Sequence, residues 1–559
     1  MSTVLQIANF FLVLFEVIVL FNLIIIVHEL GHFLAARWRG LKIEEFGVWF
    51  GKALWKKEIN GVVYSLGSIP AGGFVKLPQL APMDIIEGEA DVPRETLPPI
   101  SALDKTIVAF AGPLFSFLFA LVLACVVWQV GKPVQEIDTT TLIGSVTPGS
   151  PAEKAGLLPG DRILEVDGNP VRGFKEMTKS VIWYIMRSEG ETIRFKIDRD
   201  GQILTKESGW VIPRESEIDT VQPNTPAAAA GLAKGDIVTH VNGKILFSPE
   251  NFQELLGGKE DAPIYLTLVR GTAWLNLTLE PKLAEVKDGK PEVRAGIAWS
   301  SRGWGRAGLR KVMISPGMTS KIKEIQPGSP AAEAGLAPGD ILTHLNGKRL
   351  FQPWALHEVI TKQPKEPVYL TFKRGSEWRN TTLQPKPAPA KKETKAADKE
   401  EKFEELTGIE WDPMITHTYP RPIQQITDSL NGIRNMLGAL FSSKSGVKAQ
   451  HFSGPLGIGN IYYQMLLSPE GWRLALAFSV FFNVNLAVLN MLPFPVLDGG
   501  HIVLAFIESI RRKPVNIKVL EIIQSACALL LIGFILYVSF YDSHDILLPW
   551  IKSLFGRFH

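Results

Sequence analysis

Cysteine is almost absent from this chain: 559 residues carry two, Cys125 and Cys527, both inside apolar runs. Two thiols so placed exclude a disulfide framework and a four-thiolate zinc site. Charge of one sign in excess is missing too. Lys plus Arg total 59 against 56 for Asp plus Glu, a net charge of +3, which argues against nucleic acid as a partner. A hydrophobic share of 46% and a positive mean hydropathy exclude a mainly disordered protein. The length exceeds one compact domain, so several units are expected.

What is abundant is segregated. Apolar residues crowd into both ends while the middle reads as soluble, the pattern of a membrane protein with a water-facing insert. Ile7 to Val27 is nearly continuous Phe, Leu, Ile and Val, long enough at helical rise to cross a bilayer core. A cleaved signal peptide fits it poorly, because MSTVLQ carries no Lys or Arg and the run is too long. Further runs at Thr106–Val130, Leu474–Leu492 and Val519–Val538 predict four spans, the third interrupted by Asn483, Asn485 and Asn490. Arg37, Arg39 and Lys42 follow the first span; Arg511, Arg512, Lys513 and Lys518 lie between the third and fourth. The positive-inside rule puts both clusters in the cytosol and the insert outside, in a bacterial plasma (inner) membrane.

One pattern recurs three times in the insert: PGSPAEKAGLLPGD at Pro148–Asp161, PNTPAAAAGLAKGD at Pro223–Asp236 and PGSPAAEAGLAPGD at Pro327–Asp340. In each, Ser or Thr before Pro-Ala opens a short helix and the AGL glycine closes it. The strands ILEV, IVTH and ILTH then run into Asp167-Gly168, Asn242-Gly243 and Asn346-Gly347 turns. IYLTLVRG and VYLTFKRG supply further strands. These residues closely resemble PDZ domains of the type carried by membrane and periplasmic proteases, which bind extended peptides or chain ends beside a sheet edge. The expected division is a first copy over 134–213, a second over 214–282, a connection over 283–313 with a strand such as AGIAW, and a third copy over 314–387. A charged linker over 388–405 and an amphipathic helix over 419–444 follow.

The chemistry concentrates in two motifs. His28-Glu29-Leu30-Gly31-His32 is an HExxH pentapeptide at the inner end of the first run. On a helix, positions i and i+4 share a face, so both imidazoles can reach one zinc ion while Glu29 stays near enough to act as a base. Two His and a Glu at membrane depth are costly and call for a reason. A zinc hydrolase needs a third protein ligand and an open fourth position. Asp498, in the run Asn490-Met-Leu-Pro-Phe-Pro-Val-Leu-Asp498-Gly499-Gly500, is the candidate. Pro493 and Pro495 end the third span there, and broken backbone at membrane depth is tolerated only beside a protein-buried or watery cavity.

HELGH and NMLPFPVLDG look like the two signatures of the site-2 protease family, and the order of parts resembles its bacterial sigma-E-regulating branch. FGKAL at Phe50–Leu54, IPAGGFVKLP at Ile69–Pro78, AGP at Ala111–Pro113 and SGPLGIG at Ser453–Gly459 add to the resemblance. Two departures stand out: Ser116 occupies a place usually held by Asn, and three PDZ copies replace the usual two. The resemblance implies zinc held by His28, His32 and Asp498, with Glu29 as general base and later proton donor. It implies that Asn490, Pro493 and Pro495 border the substrate. It also implies a membrane-associated β-hairpin near 47–78 whose Gly72 and Gly73 lie where an unwound substrate pairs. The expected fold is thus a polytopic α-helical membrane protein with an inserted array of β-rich PDZ domains. Its expected work is zinc-dependent cleavage of single-span membrane substrates (anti-sigma-factor-like proteins or signal-peptide remnants), with the array as a size filter. A membrane-anchored PDZ adaptor with a structural or vestigial metal site is the rival.

Overall fold

In the computed structural model the chain forms two compact units: residues 1–133, 417–437 and 449–559, and residues 134–416 with 438–448. The described residues are 3–555 apart from 81–96, 99, 176–178, 213–215, 248, 250–251, 253–254, 256–262, 271–272, 281–294, 300–308, 364–365, 386–406, 514 and 516.

The first unit is built on helices α1 (Thr3–Arg39), α2 (Ala102–Val130), α3 (Pro422–Phe441), α4 (Pro455–Leu467), α5 (Gly471–Asn490), α6 (Asp498–Arg511) and α7 (Ile517–Phe555). Among the described residues, four stretches are long and apolar enough to cross a membrane: Phe11–Arg39, Ala102–Val130, Gly471–Asn490 and Val519–Ile546. α2 starts at a capping box in which Ser101 and Asp104 satisfy each other's backbone N–H groups. It packs closely on α1 because Gly31 has no side chain; an added Cβ would sit 2.4 Å from the Ala111 carbonyl oxygen. α4 follows the SGPLGIG stretch, and its N-terminal amides at Gly454 and Gly457 donate to the buried Asp542 carboxylate at 2.7 and 3.0 Å. Along α3, Ile426 and Ile433 are buried with Ala120, Ala124, Val127, Val480 and Val484, whereas Ile423 is 74% exposed. One face of the amphipathic helix therefore packs on spans two and three.

Where the sequence predicts a hairpin there is a four-stranded sheet. Its strands are β1 (Glu45–Phe50), β2 (Trp55–Ile59), β3 (Val62–Leu66) and β4 (Ile69–Lys76), in the order β2-β3-β1-β4. β1 runs parallel to β3 and antiparallel to β4, which leaves β4 at an edge. Val75 and Leu77 join Phe33, Ala36, Val108 and Ala111 in one core, so the sheet is seated on α1 and α2.

The second unit holds the three PDZ copies, each with its own core. The short helices Pro151–Lys154, Pro226–Ala229 and Pro330–Glu333 are capped by Ser150, Thr225 and Ser329. Each Asp-Gly or Asn-Gly turn has positive φ at both residues, the type I′ geometry that suits a hairpin. The boundaries differ from the expected ones. Ile297–Trp299 pairs with Ile218–Val221, so AGIAW completes the second copy and is no connection. Ile314–Pro316 pairs with Ile143–Val146, so the expected start of the third copy closes the first. The second copy is thereby nested inside the first. Ile409–Trp411 closes the third by pairing with Ser320–Ile325, beyond the 388–405 linker, which lies outside the described residues. Strand ladders between residues far apart in sequence set these limits, and a reading along the chain assigns each segment to its neighbour.

Candidate active site

α1 continues unbroken through HELGH, which puts the His28 and His32 rings on one face with centroids 4.9 Å apart. Asp498 comes from the other end of the chain. α5 stops at Asn490, the chain turns through Met491–Leu497, and Asp498 is the first residue of α6. The two glycines after it make that return possible. A Cβ on Gly499 would lie 2.3 Å from the Met491 carbonyl oxygen, and one on Gly500 would lie 2.1 Å from that of Phe494.

The three side chains converge. His28 Nε2 lies 3.2 Å from Asp498 Oδ2, His32 Nε2 lies 3.3 Å from Asp498 Oδ1, and the two Nε2 atoms are 3.3 Å apart. Their remaining ring nitrogens are held from behind by α2. His32 Nδ1 is 2.8 Å from the Val108 carbonyl oxygen, which can only accept, so Nδ1 carries the proton and Nε2 of the neutral ring keeps its lone pair. His28 Nδ1 is 3.0 Å from the fully buried Ser116 hydroxyl. Ser116 thus gives His28 a partner at the position where the family resemblance led to Asn. α2 can pass this close because Gly112 is bare: a Cβ there would meet His32 Nε2 at 2.2 Å.

This donor set fits zinc. Tetrahedral bonds of about 2.0–2.1 Å place ligand atoms about 3.4 Å apart, against 3.2–3.3 Å here. Two imidazole lone pairs and a carboxylate turned on one another call for a cation between them. Among the described residues this trio is the group of His, Cys, Asp and Glu side chains able to hold a metal ion.

A cavity of about 260 Å³ opens beside it, lined by His28, Glu29, His32, Asn490, Asp498 and His501, with apolar walls that include Ile25, Leu486 and Leu497. Asn490 Nδ2 lies 3.4 Å from His28 Nε2. Gly73, on the edge strand β4, is apposed to Glu29: an added Cβ would lie 3.6 Å from Glu29 Cγ. Gly72 has a φ of +87°, and the Phe50 ring fills the space where a side chain would go. Gly72, Gly73, Pro493 and Pro495 do not line the cavity, whereas His28, Glu29, His32, Asn490 and Asp498 do. Glu16 is exposed on α1, outside that lining. Sequence reasoning missed His501, Gly112 and the Val108 carbonyl. His501 carried a legible signal, since it stands three residues after Asp498 on what becomes a helix; the other two matter only through their proximity to His32.

Known proteins resemble this chain along nearly its whole length. It is 26% identical to protease RseP of Yersinia pestis over 559 residues, covering 94% of this chain and 97% of that one. It is 26% identical to a regulator of sigma E protease of Salmonella typhi over 563 residues, with the same two coverages, 94% and 97%. A candidate zinc metalloprotease of Chlamydia pneumoniae is 24% identical over 626 residues, 93% of this chain and 97% of its own. Among solved structures, a PDZ domain protein of Parabacteroides distasonis covers 46% of this chain and 96% of its own at 11% identity and a TM-score of 0.11, too slight a likeness to carry any argument. The model of peptidase family M50 matches residues 16–534, and the chain belongs to that family, the site-2 proteases.

Proposed function

We propose that this chain is a zinc endopeptidase of a bacterial inner membrane that hydrolyses a peptide bond within single-span membrane proteins. The observation that carries the proposal is the convergence of His28, His32 and Asp498 beside Glu29 in one cavity. Those three residues would hold Zn²⁺, which when bound would supply Lewis-acid polarisation of a carbonyl and a more acidic water at neutral pH. Glu29 takes a proton from the attacking water and delivers it to the departing amide nitrogen. Asn490, with a donor and an acceptor on one neutral amide, holds substrate backbone beside the ligands. The edge strand β4 receives the substrate as an added strand; Gly73 keeps that approach clear where it passes Glu29, and Gly72 gives the strand its positive-φ turn beside it. Pro493 and Pro495 keep the chain before Asp498 out of the helix, so that it borders the substrate.

The basic clusters flanking the spans support an orientation with the PDZ array outside the cytoplasm and the zinc centre towards the cytosolic side. Inserted between spans two and three, three folded copies act as a size filter on substrates with bulky external domains, and their grooves take peptide chain ends. A relative's name ties it to regulation of sigma E; anti-sigma-factor-like proteins are the first substrate class proposed for this chain, and signal-peptide remnants the second, both having a single span.

The test uses purified full-length protein, metal analysis and a model single-span substrate. Cleavage should require bound zinc and cease with a chelator. Deleting 148–387 and bridging the gap with a flexible linker should leave short-tailed substrates cleaved and newly admit substrates with intact external domains. Zinc-replete protein that cleaves neither class would return the chain to the adaptor reading. Loss of short-tailed cleavage alone on deletion, at normal zinc content, would make the array a presenting element.

A further inference from the structure

The ligands, Glu29 and Asn490 leave one polar side chain of the cavity without a task. His501 lines it together with His28, Glu29, His32 and Asp498, is partly exposed to it, and makes no side-chain hydrogen bond among the described residues. Its place is built in. Three residues after Asp498 on α6, it is displaced by about 60° around the axis and about 4.5 Å along it, which keeps it on the ligand's face one turn deeper. α6 is fixed in rotation at both ends. Gly499 and Gly500 lie against the Met491 and Phe494 carbonyls, and Glu508 pairs with the largely buried Lys105 of α2 at 2.5 Å.

A peptide carbonyl under attack gains negative charge on its oxygen, and a preorganised N–H aimed at that oxygen in a water-poor site is among the largest single contributions a side chain can make. Neutral or protonated, an imidazole always keeps at least one N–H. Glu29 and Asp498 are acceptors, and Nε2 of His28 and of His32 is given over to the metal. We infer that His501 is a catalytic residue, donating a hydrogen bond to the scissile carbonyl oxygen as its charge develops. No bond to His501 forms or breaks, and the proton traffic stays with Glu29. The inference rests on the proposed peptidase chemistry of this site.

The test is His501→Ala in the full-length protein, assayed on a model single-span substrate with zinc measured in parallel. The expected result is a kcat lower by about 10²-fold, with KM and zinc content unchanged. His501→Gln, which restores an N–H at similar reach, should recover part of the loss. Substrate affinity measured in a Glu29→Gln background should not change when His501→Ala is added. An unchanged kcat, a zinc content that falls with activity, or weaker binding in the Glu29→Gln background would each overturn the role. Undiminished cleavage in Glu29→Gln alone would instead overturn Glu29 as the base, and zinc-replete wild-type protein that does not cleave would overturn the peptidase reading beneath it.

Discussion

The aspartates of the PDZ loops and the half-buried Asp498 of the first unit are treated in opposite ways. In the PDZ copies the aspartates of the three PGD or KGD turns, Asp161, Asp236 and Asp340, are at most 1% exposed. Each receives an arginine fork: Arg199 at 2.6 and 2.8 Å, Arg270 at 2.7 Å twice, Arg374 at 2.8 and 2.7 Å. Each also accepts a backbone N–H, from Leu158, Ala233 or Ala337. The same arginines donate to the AGL glycine carbonyls and tie strand end to loop. Every charge is answered from within, and the result is architecture. Among the described residues Asp498 meets the Nε2 atoms of His28 and His32 and no guanidinium or ammonium group. A buried carboxylate with its own guanidinium holds a fold together; one set against two imidazoles is arranged as the proposed zinc centre needs.

The comparison breaks most sharply at the metal. Asp498→Asn should lose zinc and all cleavage, since the charge that balances Zn²⁺ is gone. Glu29→Gln should keep zinc and lose about 10²–10⁴-fold in rate. Equal zinc retention in the two variants would demote Asp498 to a helix start. In the insert, Arg199→Ala should leave zinc untouched while costing the first copy about 2 kcal/mol, because Asp161 stays buried without its partner. Hydrogen exchange confined to residues 134–212 and 309–316 would report it, and a parallel loss of zinc would refute the division of roles.

Ser116→Ala should act at the boundary of the two behaviours. Removing the hydroxyl behind His28 leaves the ligands in place but unoriented, and a zinc affinity about 10-fold weaker is expected, with rescue by Ser116→Asn. Unchanged affinity in a zinc-competition titration would mean that the 3.0 Å contact does not orient the ring. The smallest effect concerns acid. Burial pushes the Asp236 carboxyl up, but the Arg270 fork and the Ala233 N–H outweigh it and hold the group below the usual carboxylate range. A folded pKa lower than the unfolded one gives stability that is present above about pH 4 and is lost as pH falls through the folded value. The second copy should therefore lose stability to acid below about pH 4, and Arg270→Gln should flatten that dependence. An unchanged acid profile by circular dichroism would speak against the pair as its source.

The spans, the repeats and the HExxH pair were legible in the chain because each depends on near neighbours: an apolar run, a turn dipeptide, two histidines one turn apart. Asp498 was legible for a weaker reason, as an acid beside prolines that end a span. The nesting of the second PDZ copy within the first was not, since Ile143–Val146 and Ile314–Pro316 meet across a ladder that no local pattern encodes. Nor was the four-stranded sheet of the first unit, whose parallel β1–β3 pair needs strands that are not neighbours in sequence.

Residue identity and spacing determined which groups could serve a metal and that four stretches are long and apolar enough to cross a membrane. Tertiary structure alone decided that Ser116 and the Val108 carbonyl orient the two rings, that a bare Gly112 lets α2 pass them, and that His501 joins the cavity. The physical reason is one of range: propensity, periodicity and ligand spacing act within a few residues, whereas the direction of a lone pair is set by whichever distant atom packs behind it.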